Sequence, residues 1–115
     1  MITGIGVDVV DIARFERALD RTPGLRERLF AESERSRPTR SLAARFAAKE
    51  ALIKAFGGTA ILRWHDMEVV NGDSGDPEFR LHGALAELAA GQHVHVSMTH
   101  DAGVATAFVV VEAAS

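Results

Sequence analysis

The sequence predicts an α+β fold, with a mainly antiparallel sheet packed against a long buried helix. Three observations carry this. Strand-like and helix-like segments are mixed without the regular alternation of a parallel sheet. One segment, residues 41–56, is apolar almost all round a helical wheel. Turn-forming residues join neighbouring strand segments directly, at 71–77 and 101–103.

Each element follows in order. Residues 2–9 read as a strand, because Ile5, Val7 and Val9 alternate with Gly4, Gly6 and Asp8. Asp11 is a good N-cap for a helix over 12–20, and Thr22-Pro23-Gly24 breaks it. Residues 25–30 suggest a short helix, and the polar stretch 31–38 a short helix followed by a loop. Thr39 or Ser41 caps the long helix, which Gly57-Gly58 ends. Residues 67–70 and 78–81 form a hairpin around a turn-rich loop. A short helix over 83–90 stops at Gly91. Two further strands, 94–98 and 104–111, meet through Asp101-Ala102-Gly103. The sequence has no internal repeat and no low-complexity segment.

Length and composition bound the function. With 115 residues there is room for one domain, 1–115, and 47% hydrophobic residues are enough to build its core, which excludes a disordered chain. A domain this small leaves much surface to cover, which favours help from a partner subunit. The absence of cysteine excludes a disulfide framework, a zinc–thiolate site and a thiol nucleophile. No apolar run approaches the roughly 20 residues of a membrane span. The first residues lack a basic n-region and a long apolar h-region, so the expected location is the cytoplasm. The net charge of −3 is unevenly spread. Residues 1–57 hold 11 of the 13 basic residues and 8 acidic ones, so an anionic partner is to be sought there.

Three segments could carry chemistry. Asp8 shares a strand face with Gly4 and Gly6, and two glycines beside a carboxylate leave space for a backbone or a ligand. On its own such an Asp more often caps a turn. In the long helix, Ala44, Ala47, Ala48, Ala51 and Ala55 form a small-residue face, while Leu42, Phe46, Leu52, Ile53 and Phe56 cover most of the rest. Charges on so apolar a helix need partners. Glu50 and Lys54 stand four apart in the favourable order and can pair with each other. Arg45 and Lys49 stand four apart with like charge, which costs about 0.2–0.5 kcal/mol unless an anion lies between them. The third segment is 93–101. His93, His95, Ser97 and Thr99 share one strand face, and His100 falls at the start of the turn. A His-x-His pair can bind a metal, although such pairs are more often plain surface residues. His100, beside the turn, is better placed for a ligand.

Together these segments closely resemble holo-[acyl-carrier-protein] synthases, the small 4′-phosphopantetheinyl transferase family. The matching residues are Gly4-Ile5-Gly6-Val7-Asp8 with Arg14, Arg45-Phe46-Ala47-Ala48-Lys49-Glu50-Ala51 with Lys54, and Val96-Ser97-Met98-Thr99-His100 before an apolar strand. The segments 64–69 and 75–77 are similar to the family's middle hairpin. Ala31 departs from the family pattern, standing where many members have Thr, and the loop 33–40 is short.

The resemblance implies transfer of the 4′-phosphopantetheine arm of coenzyme A to a serine of an apo acyl carrier protein, for fatty acid biosynthesis, releasing adenosine 3′,5′-bisphosphate. It implies Mg²⁺ held by Asp8 and Glu50, with Lys54 beside the pyrophosphate. The base that deprotonates the serine is then Lys54, or Glu50 acting through a water on the ion. Arg45, Lys49, Thr99 and His100 are expected around the nucleotide, with the 3′-phosphate as the anion between Arg45 and Lys49, and Gly57 and Gly58 offer backbone N–H groups to a phosphate. Arg14, Arg17 and Arg21 fall on one stripe of the first helix, expected to dock the acidic carrier protein, with Arg26 and Arg28 extending it. The resemblance further implies a homotrimer, with neither nucleic acid nor membrane as partner. Two other classes remain as alternatives: a non-catalytic nucleotide-binding or interaction module of this fold, and a metal hydrolase built on His93 and His95.

Overall fold

The computed structural model describes residues 1–58 and 63–114. Among the described residues, five strands and four helices follow in order: β1 (Ile2–Asp11), α1 (Ile12–Arg21), α2 (Leu25–Leu29), α3 (Thr39–Ala55), β2 (Met67–Asn71), β3 (Pro77–Leu81), α4 (Gly83–Leu88), β4 (Gln92–Asp101) and β5 (Val104–Ala113). A 3₁₀ turn, Trp64–Asp66, precedes β2. The strands form two antiparallel sheets, one in the order β1-β5-β4 and one made of the hairpin β2-β3.

The elements differ from the sequence reading mainly at their ends. Strands β4 and β5 run on to a two-residue turn, Ala102-Gly103, so His100 lies within β4. Residues 31–38 contain no helix, only turns. Neither Thr39 nor Ser41 caps α3. Pro38 holds the N-cap position without a side-chain bond, and the helix starts at Thr39 itself. Ser41 is used elsewhere, accepting a hydrogen bond from Arg45 at 2.6 Å. Asp11 does cap α1, its Oδ1 accepting from the Arg14 N–H at 2.9 Å.

Helix α3 lies across the three-stranded sheet. Ala47, Ala48, Ala51 and Leu52 are fully buried against Ala105, Ala107, Val109 and Val111 of β5. Contact with β1 is closer still, because β1 turns glycines toward the helix. A Cβ on Gly6 would lie 1.8 Å from the Ala51 carbonyl oxygen, and one on Gly4 would lie 2.0 Å from that of Ala55. The period of two that faces Gly4 and Gly6 inward turns Ile5, Val7 and Val9 outward. Each of those three is more than half exposed.

A second constraint lies at the other side of α3. Glu34, in the loop before the helix, is buried, and its carboxylate gathers three donors. The Ala31 N–H reaches Oε1 at 2.9 Å, the Lys49 ammonium reaches Oε1 at 2.7 Å, and the Val69 N–H reaches Oε2 at 3.2 Å. Glu34 thus closes the turn after Ala31, where a side-chain hydroxyl is missing, and ties loop, α3 and β2 together. Lys49 also donates to the Leu29 carbonyl at 2.7 Å and stands over the Phe30 ring at 4.9 Å. Removing one partner from a buried pair of this kind costs about 3–5 kcal/mol, because the other charge is left without compensation. Nearby, the Glu68 carboxylate accepts from Ser33 and bonds His82 Nε2 at 3.0 Å, pinning the same loop to the hairpin.

The glycine contact yields a test. Gly6→Ala forces strand and helix backbones apart, since the nearest atoms are carbonyl rather than side chain. The expected loss is about 3 kcal/mol, at the upper end for overpacking a core. Urea unfolding measures it, and an unchanged midpoint would show that β1 lies less tightly on α3.

Candidate functional site

Because β1 lies flat on α3, the residue two beyond Gly6 on the same face also turns toward the helix. That residue is Asp8, and it faces Glu50 and Lys54. The Lys54 ammonium donates to Asp8 Oδ1 at 3.1 Å and to the Val7 carbonyl at 3.0 Å. Lys54 therefore turns to the strand. Glu50 is half-buried, and its pKa is pushed above the usual glutamate value, first by burial and then by the nearby Asp8 charge, with Lys54 pulling it partly back. Two carboxylates that repel each other, with a single ammonium beside them, form a site short of positive charge.

A cleft of about 560 Å³ opens from these carboxylates. Asp8 and Glu50 lie in its wall with Arg14, Phe15, Phe46 and Trp64. The Phe15 and Phe46 rings stack at 5.3 Å, and Phe46 meets Trp64 at 5.5 Å, so one flank is apolar and rigid. Arg14, Arg17 and Arg21 are all exposed on α1, and Arg14 reaches the cleft.

A second pocket, about 230 Å³, lies at the N-terminal end of α3. Arg45 brings it together with Thr99 and His100 of β4, and Arg37, Arg40 and Asn71 complete its wall. It is strongly basic. Burial lowers the Arg45 pKa, the Arg37 charge lowers it further, and Glu34 offsets part of this.

Three expected ligand residues are placed elsewhere. Lys49 has no exposed surface, and its ammonium is committed to Glu34 and Leu29. The anion between Arg45 and Lys49 is the Glu34 carboxylate, with Arg45 Nε 3.9 Å from Oε2, and no phosphate is needed there. The N–H of Gly57 bonds the Lys54 carbonyl at 3.0 Å, and that of Gly58 bonds the Ile53 carbonyl at 2.9 Å. Both cap the helix, so neither is free to hold a phosphate. His93 and His95 do face solvent with rings 6.5 Å apart, and His95 bonds Glu112 at 3.1 Å. Among the described residues, no group of three His, Asp or Glu side chains is close enough to hold a metal ion.

The profile of the 4′-phosphopantetheinyl transferase superfamily matches residues 4–109. The chain is 64% identical to the holo-[acyl-carrier-protein] synthase of Clavibacter michiganensis subsp. michiganensis, with 97% of each chain covered. This chain belongs to the holo-[acyl-carrier-protein] synthase family. It is accordingly an enzyme of the 4′-phosphopantetheinyl transferase superfamily. Among solved structures it is similar to the Mycobacterium tuberculosis acyl carrier protein synthase, with TM-score 0.78, 42% identity, and 98% and 99% of the two chains covered. It is also similar to the Bacillus anthracis holo-(acyl-carrier-protein) synthase in complex with CoA (3′,5′-ADP), with TM-score 0.83, 35% identity and 99% of each chain covered.

Sequence reasoning missed Glu34, Arg37, Arg40, Asn71 and the aromatic wall. One signal pointed to the first: two like charges on a buried helix required an anion, and the chain had a carboxylate in the loop just before it.

The Glu50 environment sets a pH dependence. Its folded-state pKa lies above the unfolded value, so the favourable contribution is complete below the ordinary glutamate range and is lost as pH rises through the raised value. Glu50→Gln abolishes that loss. Relative to the unsubstituted protein, the metal-free variant should gain thermal stability as pH rises from the ordinary glutamate value, about 4.3, toward neutrality. A melting-temperature difference constant across that span would contradict the assignment.

Proposed function

We propose that this chain transfers the 4′-phosphopantetheine group of coenzyme A to a serine of an apo acyl carrier protein, with Mg²⁺ held by Asp8 and Glu50. The meeting of Asp8, Glu50 and Lys54 beside an open cleft is the observation that carries this reading. Family membership and the relative solved with CoA support it.

The donor set fits the metal. Mg²⁺ favours one or two carboxylates and takes its remaining ligands from phosphate oxygens and water. Asp8 and Glu50 provide that number, and their mutual repulsion is what a divalent cation relieves. When bound, the ion neutralises charge on the pyrophosphate.

The chain's own residues do the rest. Lys54, held on Asp8, sits where negative charge accumulates as the pyrophosphate P–O bond breaks and the serine oxygen bonds to phosphorus. Its commitment as a donor to a carboxylate and a carbonyl supports the charge-stabilising role over that of base, which leaves Glu50, through a water, to take the serine proton. Arg45, Thr99 and His100 line the pocket for the nucleotide end, and adenosine 3′,5′-bisphosphate leaves from it. The stripe of Arg14, Arg17 and Arg21 steers an acidic helical carrier protein to the cleft mouth.

Assembly belongs to the same reading. Ile5, Val7 and Val9 of β1 are exposed beside Phe108 of β5, which is paired with Val7. This apolar face lies on the side of the sheet away from α3, and a trimer of the chain would cover part of it. Among the described residues no helix is long and apolar enough to cross a membrane. The reading places the enzyme in the cytoplasm, serving a carrier protein of fatty acid biosynthesis.

A transfer assay with coenzyme A, Mg²⁺ and apo carrier protein, followed by the carrier's mass gain, tests the proposal. Asp8→Ala should lower turnover about a hundred- to a thousandfold, the usual cost of losing one charge-stabilising group, with little change in melting. Arg14→Glu with Arg21→Glu should instead raise the KM for carrier protein while the KM for coenzyme A holds. Normal turnover by Asp8→Ala in saturating Mg²⁺ would overturn the metal site.

A further inference from the structure

Asn71 is the last residue of β2, and its side chain stands in the wall of the basic pocket. Its Oδ1 accepts from two guanidiniums at once, Arg45 at 3.0 Å and Arg37 at 3.2 Å. The orientation of the amide is fixed by the network. Nδ2 donates to the Gly75 carbonyl at 2.8 Å, and a flipped amide would set its N–H groups against two cations and a carbonyl against a carbonyl. The turn that carries Gly75 is itself closed by the Gly72 N–H on the Asp76 carbonyl at 2.8 Å. Asn71 is thus locked from behind by the hairpin and presents one neutral oxygen to two like charges.

The neutrality of that oxygen matters. Arg37 and Arg45 repel each other, and Arg40 adds a third guanidinium to the same wall. A carboxylate at position 71 would hold the first two equally well but cancel part of their charge. An amide oxygen holds them and leaves the charge to the pocket.

We propose that Asn71 is a positioning residue that sets the preference of this pocket for a doubly charged phosphate monoester, the 3′-phosphate of coenzyme A, by holding Arg37 and Arg45 together without neutralising them. The inference rests on the reading of this pocket as the nucleotide end of the coenzyme A site. It extends that reading from the residues that touch the nucleotide to one that acts through them.

The test compares kcat/KM for coenzyme A and for 3′-dephospho-coenzyme A in three proteins: unsubstituted, Asn71→Asp and Asn71→Ala. The unsubstituted enzyme should prefer coenzyme A. Asn71→Asp should narrow the preference about tenfold or more, the scale of one added charge a few ångströms away in a partly screened site. The change should appear in the KM for coenzyme A more than in kcat. Asn71→Ala should narrow it less, because the arginines lose their position but keep their charge. If melting shows that Asn71→Asp does not fold, Asn71→Ala carries the test by the same ratio. A folded variant with an unchanged ratio, or equal losses on both cosubstrates, would overturn the inference alone. No preference in the unsubstituted enzyme would overturn the reading of the pocket with it.

Discussion

The backbone-to-backbone contact between β1 and α3 is the constraint on which the rest of the structure depends. Side chains at positions 4 and 6 would collide with the carbonyl oxygens of Ala55 and Ala51, so only glycine lets the strand lie on the helix. That contact sets the register between two elements far apart in sequence. With the register fixed, a strand period of two and a helix turn of four bring Asp8 to Glu50 and Lys54. The same register turns Ile5, Val7 and Val9 away from the helix, which leaves an apolar face on the opposite side. The carboxylate site and the exposed stripe are two consequences of one packing choice.

On its other side α3 is held by charge. Glu34 is a buried carboxylate that a protein of this size keeps only because three donors meet it. Lys49 is its cationic partner, and Arg45 sits at the edge of the same pair, between the core and the basic pocket. Arg45 thereby has one side on the core and one on the pocket wall. Its Nε points toward Glu34, while its terminal nitrogens bond Ser41 and Asn71 at the pocket wall. The network fixes the helix, the preceding loop and the hairpin relative to one another, and the pocket lies where these three meet β4.

Much of this was legible in the sequence, for identifiable reasons. The glycine pair beside Asp8, the all-round apolar helix and the turn residues each have a strong local signature, and the strands and helices follow from them. Element ends were less legible, because strand pairing extends β4 and β5 past the point where alternation stops. The Arg45–Lys49 pair signals the need for an anion, but the sequence does not say that the anion is a side chain of the chain itself. A single carboxylate in a polar loop carries no sign of burial; only the folded path of 31–38 brings Glu34 under the helix. Asn71 was hidden for a similar reason. It reads as the first residue of a turn, and its second task appears only when the hairpin is set beside Arg37 and Arg45.

The account stands or falls on the two carboxylates acting as one cation site. Its most direct measurement is the anomalous scattering of Mn²⁺ in crystals grown with coenzyme A. The account predicts a peak within about 2.0–2.2 Å of both the Asp8 and the Glu50 carboxylates, the range for a small hard cation on oxygen. Coenzyme A bound with no peak between them, or with the peak on His93, His95 and Glu112 instead, would contradict it.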